Sequence, residues 1–163
     1  MVADAMHRRT GRRRLTGSLG GPTAVLLVLT VAAARAAVEV PFDFLHNQIV
    51  LRGEVNGSGP YNFVIDTGTH ASTIDLALAR RLRLKLAPAA GEGRGAGGGR
   101  AVARASSVDS LRVGDLRVLN LPVAALDLSG VSRQLGRPLD GVLGHNFLAS
   151  RIVQIDYFRR RVR

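Results

Sequence analysis

From Val38 onward, apolar side chains return at every second position. Val38, Val40, Phe42 and Phe44 alternate with Glu39, Pro41 and Asp43, and Ile49, Leu51 and Val55 then alternate with polar or small residues. A period of two sets one row of side chains on one face of an extended chain, whereas a helix would scatter the same residues around its axis. The segment therefore reads as two strands. Nineteen glycines and only 4% aromatics favour many turns and close backbone approaches over a helical bundle packed on large rings. The expected class is all-β.

The rest of the chain fits that class. Asn56-Gly57-Ser58-Gly59-Pro60 is dense turn chemistry, and Tyr61 to Ile65 is a third strand, continuously apolar at Phe63-Val64-Ile65. Asp75 can cap a short helix carrying Leu76, Leu78, Ala79 and Leu82. Residues 87–100 are rich in Gly and Ala and read as a mobile hairpin or loop. Strands resume at Ala101 to Val108, Ser110 to Val113, Leu116 to Leu119 and Pro122 to Leu126, with Gly114-Asp115 as a hairpin turn. Pro138 to Gly144 is a turn leading into an apolar segment. A brief helix from Asn146 to Ser150 and a strand from Ile152 to Asp156 close the domain.

Residues 1–36 have a different character. Arg8, Arg9, Arg12, Arg13 and Arg14 precede an uncharged apolar run, Ala24 to Ala34, and Ala34-Arg35-Ala36 matches the small-x-small cleavage pattern. This predicts a signal peptide or an N-terminal membrane anchor, an exported protein that is periplasmic or secreted (membrane-tethered if the segment stays), and one mature domain over residues 37–163. The formal charge of +11 shrinks accordingly: without residues 1–36 the chain holds 17 basic against 11 acidic residues. That excess is scattered apart from Arg159, Arg160, Arg161 and Arg163, and reads as solvated surface, so no nucleic-acid partner is expected.

Several chemistries drop out. No cysteine is present, which excludes a disulfide framework, a thiolate zinc site and a cysteine nucleophile. None of His7, His46, His70 and His145 pairs with another at helical spacing, so neither a metal nor another cofactor is expected. Gly93 to Gly98 satisfies G-x-G-x-x-G literally, but no strand is predicted before it and no helix after it. No Lys-Ser or Lys-Thr follows the glycines, and the chain has no G-x-S-x-G elbow.

One motif carries chemistry. Phe63-Val64-Ile65-Asp66-Thr67-Gly68-Thr69 ends an apolar strand on a carboxylate, with hydroxyls nearby and a glycine for a tight turn. Amide hydrolysis by carboxylates needs two close together: their repulsion raises one pKa, so that one is protonated and polarises the carbonyl while the other takes a proton from water. Only one such loop is present, so the partner comes from a second copy across a two-fold axis. Asp140 in the same chain is the competing second carboxylate, but Asp140-Gly141 lacks the flanking threonine.

The stretches FVIDTGTHASTID, GAGGG at residues 95–99 and LDGVLGHNFLASRIVQIDY resemble the retropepsin-like aspartic peptidases, in particular bacterial, signal-bearing, single-lobed members, over about Val38 to Val162. The resemblance implies an acid-protease lobe, a closed β-barrel-like sheet with one or two short helices, acting as a homodimer on polypeptide. It implies Asp66 as the catalytic carboxylate, Thr67 as a lock between the two loops, and Thr69 as a partner of the outer carboxylate oxygen, with Gly68 in the loop. Val142, Leu143 and Gly144 would pack behind that loop, and Gly95, Gly97, Gly98 and Gly99 would belong to a flap. His70 stands where the family more often has a small residue, so it would narrow the site or add a titrating charge. A binding or assembly module of the same fold without activity is the alternative reading.

Overall fold

The computed structural model describes residues 38–89, 92–94 and 100–163, which belong to one compact unit. The expected signal or anchor at 1–36 and the flap glycines Gly95, Gly97, Gly98 and Gly99 lie outside the described residues. In chain order the elements are β1 (Val40–Leu45), β2 (Gln48–Val55), β3 (Ser58–Ile65), β4 (Thr73–Asp75), α1 (Leu76–Arg81), β5 (Glu92–Arg94), β6 (Arg100–Val102), β7 (Arg104–Val113), β8 (Leu116–Leu126), α2 (Ser129–Leu135), β9 (Gly141–Leu143), α3 (His145–Leu148), β10 (Ile155–Asp156) and β11 (Arg161–Val162). No helix among the described residues is long and apolar enough to cross a membrane.

Six strands close on themselves. Neighbours run β2-β3-β9-β4-β8-β7, and β7 returns to β2 through Glu54↔Arg112 and Val55↔Leu111. The Glu54 carboxylate and the Arg112 guanidinium form an ion pair at that seam. Closure removes the open edges that a flat sheet of these strands would expose. Outside the ring, β1 continues from β2 and carries β11 and then β10, a three-stranded ribbon.

The period-two pattern explains which residues fill the barrel. Phe42, Leu51, Val55, Phe63, Ile74, Val108, Leu111, Val123 and Leu143 share one core cluster. Each large side chain removed from water there stabilises the fold by about 1.5–3 kcal/mol. Phe63-Val64-Ile65 is apolar without alternation because both faces of β3 are covered. Val64 points the other way from Phe63, into a second cluster with Val50, Leu128, Leu135 and Leu139 beneath α2. The Asp75 cap forms as expected: its Oδ1 accepts from Ala77 N at 2.9 Å and from Leu78 N at 3.1 Å. The Gly114-Asp115 turn joins β7 to β8 in the expected register, Val113↔Leu116, with Gly114 at φ 57°.

Four expectations are corrected. The breaks at Asp109 and near Asn120 do not exist, since β7 and β8 are single long strands of 10 and 11 residues. Asp109 simply faces solvent between buried Val108 and Ser110, and Asn120 tolerates its φ of 49° without ending the strand. Among the described residues three short helices form, one more than the pattern places. The sequence pattern assigns no element to Ser129–Leu135, where α2 is held by tertiary bonds: Asp75 Oδ2 accepts Leu128 N at 3.1 Å and Ser132 Oγ accepts Leu139 N at 3.0 Å. The helix after Gly144 covers His145–Leu148 instead of Asn146 to Ser150. Finally, the strand expected at Ile152 to Asp156 shrinks to Ile155–Asp156, and the arginine-rich tail, where the pattern predicts no strand, forms β11 while Arg159, Arg160 and Arg163 stay exposed as expected. Val162 is the reason: it packs into the core opposite Val40, so the charged residues around it are carried into a strand.

Candidate active site

Asp66 follows the last residue of β3, and its backbone N–H donates to Leu143 O of β9 at 3.1 Å. β3 and β9 run parallel, pairing Phe63, Val64 and Ile65 with Gly141, Val142 and Leu143. Two strands thus deliver the carboxylate to one end of the barrel. The turn then folds back on the side chain: Gly68 N donates to Asp66 Oδ1 at 2.9 Å, and Thr69 Oγ1 donates to Oδ2 at 2.7 Å. A Cβ at Gly68 would lie 3.2 Å from Oδ1, so a larger residue there would crowd the carboxylate. Each oxygen holds one bond and keeps lone-pair capacity for another donor. Asp66 is half-buried, whereas Thr67 and Gly68 are exposed beside it.

A second layer lies directly behind the turn. Gly144 is buried, and a Cβ placed on it would stand 2.7 Å from Thr69 O and 2.9 Å from Ala71 O. His145 N donates to Thr69 O at 2.7 Å and Asn146 N to His70 O at 3.1 Å. Leu143 is fully buried against the barrel core, and Val142 pairs both Val64 and Thr73. The structure therefore brings Asp66, Gly68, Thr69, Leu143 and Gly144 into one unit, with Thr67 at its open side. His70 is exposed, and its ring stacks on that of His145, with centroids 5.8 Å apart and an interplanar angle of 13°.

Two residues escaped the sequence reading. Ser72 Oγ donates to Asn146 Oδ1 at 2.7 Å and accepts from Gly144 N at 3.0 Å. Asn146 Oδ1 also accepts Ser72 N at 2.8 Å, and its Nδ2 donates to Pro122 O at 2.8 Å. This network ties the residues after Asp66 to the β9–α3 turn and to β8. A serine among small residues and an asparagine at a helix start carry no local signal of it, because the partners lie 74 positions apart. Ser72→Ala leaves the buried Gly144 N–H without an acceptor and should destabilise the domain by about 1–3 kcal/mol, measured by denaturant unfolding.

Asp140 lies elsewhere. It is level with Asn62 on β3, whose N–H donates to Asp140 Oδ2 at 2.8 Å. Four residues of strand separate that level from Asp66, roughly 13 Å at the usual rise. Asp140 instead borders a separate cleft of about 660 Å³ with Asp75, Arg80, Asp127, Arg133 and Arg137, at the opposite ends of β4 and β9 from the Asp66 turn. The Asp127 carboxyl there is held below its ordinary range, chiefly because it accepts the Ser129 backbone N–H. Among the described residues no group of three His, Asp or Glu side chains is placed to hold a metal ion.

A family model described as aspartyl protease matches residues 51–147, from β2 to α3, and so takes in both the Asp66 turn and the layer behind it. No curated protein matches the chain. Among solved structures, a retropepsin-like aspartic protease from Rickettsia conorii is 16% identical, with a TM-score of 0.55, over 77% of this chain and 95% of its own. EIAV protease, in complex with the inhibitor HBY-793, is 18% identical over 64% of this chain and 88% of its own, with a TM-score of 0.45. The retroviral protease-like domain of Ddi1 from Leishmania major is 13% identical over 68% of this chain and 82% of its own, with a TM-score of 0.44. The Rickettsia likeness establishes the fold, and the family match covers the turn that bears the carboxylate together with its support: the chain belongs to the aspartyl protease family and has the retropepsin-like fold.

Proposed function

We propose that the protein is an aspartic endopeptidase in which water is activated between the Asp66 carboxylates of two copies. The observation that carries this reading is the Asp66 turn itself, with Gly68 N on one oxygen and Thr69 Oγ1 on the other at the open end of a closed barrel. Two such carboxylates brought together cannot both ionise readily. The ionised one takes a proton from water as the oxygen attacks the peptide carbonyl carbon. The protonated one passes its proton to the carbonyl oxygen, giving a neutral tetrahedral diol. Collapse of that diol, with a proton delivered to the amide nitrogen, breaks the C–N bond. No covalent enzyme intermediate forms.

A second copy is needed because Asp140, level with Asn62, stands roughly 13 Å along β3 from Asp66. An apolar groove of about 340 Å³ supports a docking surface near the turn. Ile65, Leu143, Phe147 and Leu148 line it, and Ile152, 96% exposed, stands at its lip. Exposed Thr67 is free to bond across the two-fold axis. The paired β5 and β6 flank the glycine-rich segment proposed as the flap, which would close over an extended peptide bound as an added strand. The arginine-rich start and apolar run of residues 1–36 support export.

The test is cleavage of an unbiased peptide library by residues 37–163, scanned from acid to neutral pH, with Asp66→Asn as control. Specific activity should also fall on dilution as dimers dissociate. Activity independent of concentration, in a species that sediments as a monomer, would remove the shared dyad. No cleavage by a demonstrated dimer would favour the inactive binding module.

A further inference from the structure

The β10–β11 hairpin lies outside the barrel and presents an unusual tip. Phe158 is 96% exposed at the turn, with Tyr157 exposed next to it and Phe44 partly exposed on β1. The tip is held in shape from beneath. Tyr157 packs edge-on against Phe42 and Phe44, with centroids 6.0 and 5.5 Å away. Asp156 Oδ1 accepts Arg159 N at 2.8 Å and its Oδ2 pairs with Arg159 Nη1 at 3.2 Å. That backbone N–H is the chief reason why the Asp156 carboxyl sits below its ordinary range. Arg160 takes φ 52°, closing the turn, and its carbonyl accepts Phe42 N at 3.0 Å. The aromatic ring is thus displayed on an ordered support.

The charge around the ring has one sign in excess. The side chains of residues 156–163 bring one carboxylate against Arg159, Arg160, Arg161 and Arg163. Asp156 pairs Arg159, and Glu39 pairs Arg163 at 2.9 Å, which leaves a net of two positive charges from Arg160 and Arg161. An exposed aromatic ring beside arginines is the composition that settles at the boundary between lipid headgroups and acyl chains. The apolar tip is only three side chains, far less than the roughly 800 Å² per partner that a stable protein–protein interface buries. A lipid surface needs only local insertion of a ring and attraction to anionic headgroups.

We propose that the Tyr157–Arg161 turn is a peripheral membrane-docking site for anionic lipid, inserting Phe158 while Arg160 and Arg161 contact headgroup phosphates. Lipid docking at this turn does not require the Asp66 chemistry.

The probe is co-sedimentation of residues 37–163 with vesicles of phosphatidylcholine alone or mixed with phosphatidylglycerol. This chain lacks the apolar run at 24–34, and the described core lies wholly within Val40 to Val162. Each basic residue strengthens binding to an anionic surface about fivefold, so two excess charges predict a preference of roughly 25-fold for the mixed vesicles, shrinking in high salt. Phe158→Ser should weaken binding about tenfold or more while leaving the unfolding midpoint in place, because the ring contributes little to the core. Arg160→Gln with Arg161→Gln should abolish the preference for anionic vesicles. Equal binding to both vesicle types, no binding to either, or unchanged binding by Phe158→Ser would each overturn the proposal. A Phe158→Ser protein that sediments as a monomer where the parent is a dimer would overturn it too, by assigning the tip to contact between copies.

Discussion

Asp66→Asn is expected to lower peptide cleavage by roughly 10²–10⁴-fold or more, as loss of a general acid–base group does, and to leave the fold in place. The two halves of that expectation rest on different atoms. Asparagine matches aspartate in shape, so its Oδ1 can still accept Gly68 N, where the carboxylate now accepts at 2.9 Å. Its Nδ2 would face Thr69 Oγ1, which now donates at 2.7 Å and can rotate its hydroxyl to accept instead. The turn therefore keeps two bonds. An amide, however, neither takes a proton from water nor gives one to a carbonyl oxygen at neutral or mildly acid pH. In a dimer both copies carry the change, so no dyad remains. Peptide-library cleavage and a thermal unfolding midpoint, measured together on one preparation, separate the two effects. Undiminished cleavage by the variant would sink the assignment of Asp66, and a collapsed unfolding midpoint would show that the carboxylate is structural.

Gly144→Ala is expected to have the second-largest effect, and on both quantities at once. The added Cβ would stand 2.7 Å from Thr69 O and 2.9 Å from the carbonyl carbon and oxygen of Ala71. These are backbone atoms of the segment that follows Asp66, not the ends of flexible side chains. Relief requires either that segment or β9 to move, and β9 is pinned by its pairing to β3 and β4. Overpacking of this kind costs about 1–3 kcal/mol. The catalytic consequence is larger in proportion, since the displaced segment carries the Thr69 hydroxyl that holds Asp66 Oδ2. A shift near 1 Å in such a group lowers turnover by roughly 10²-fold. Steady-state kinetics should show the loss mainly in kcat, and denaturant unfolding should show the stability cost. A variant with parental kcat and parental stability would mean that the layer behind the turn yields freely.

The division between sequence and structure follows the range of the interactions. Period-two burial, the Gly114-Asp115 hairpin and the Asp75 cap depend on neighbours within a few residues, and each could be read from the chain alone. Asp66-Thr67-Gly68-Thr69 was legible for the same reason, because Gly68 N and Thr69 Oγ1 reach the carboxylate from two and three residues away. Local pattern was silent where distant contacts decide. Ser129–Leu135 is helical because Asp75 and buried Leu128 and Leu135 hold it, and the arginine tail becomes a strand because Val162 reaches the core beside Val40.

What the sequence by itself determined is an all-β chain with a carboxylate set in a hydroxyl-bearing turn, since strand periodicity and turn chemistry are local properties. Only the tertiary structure decided that the strands close into a six-membered ring, that Ser72 and Asn146 fasten the turn from 74 residues apart, and that Asp140 sits beside Asn62, away from Asp66. Those outcomes depend on which segments meet once apolar faces are buried, and the side chains that meet bear no mark of one another along the chain.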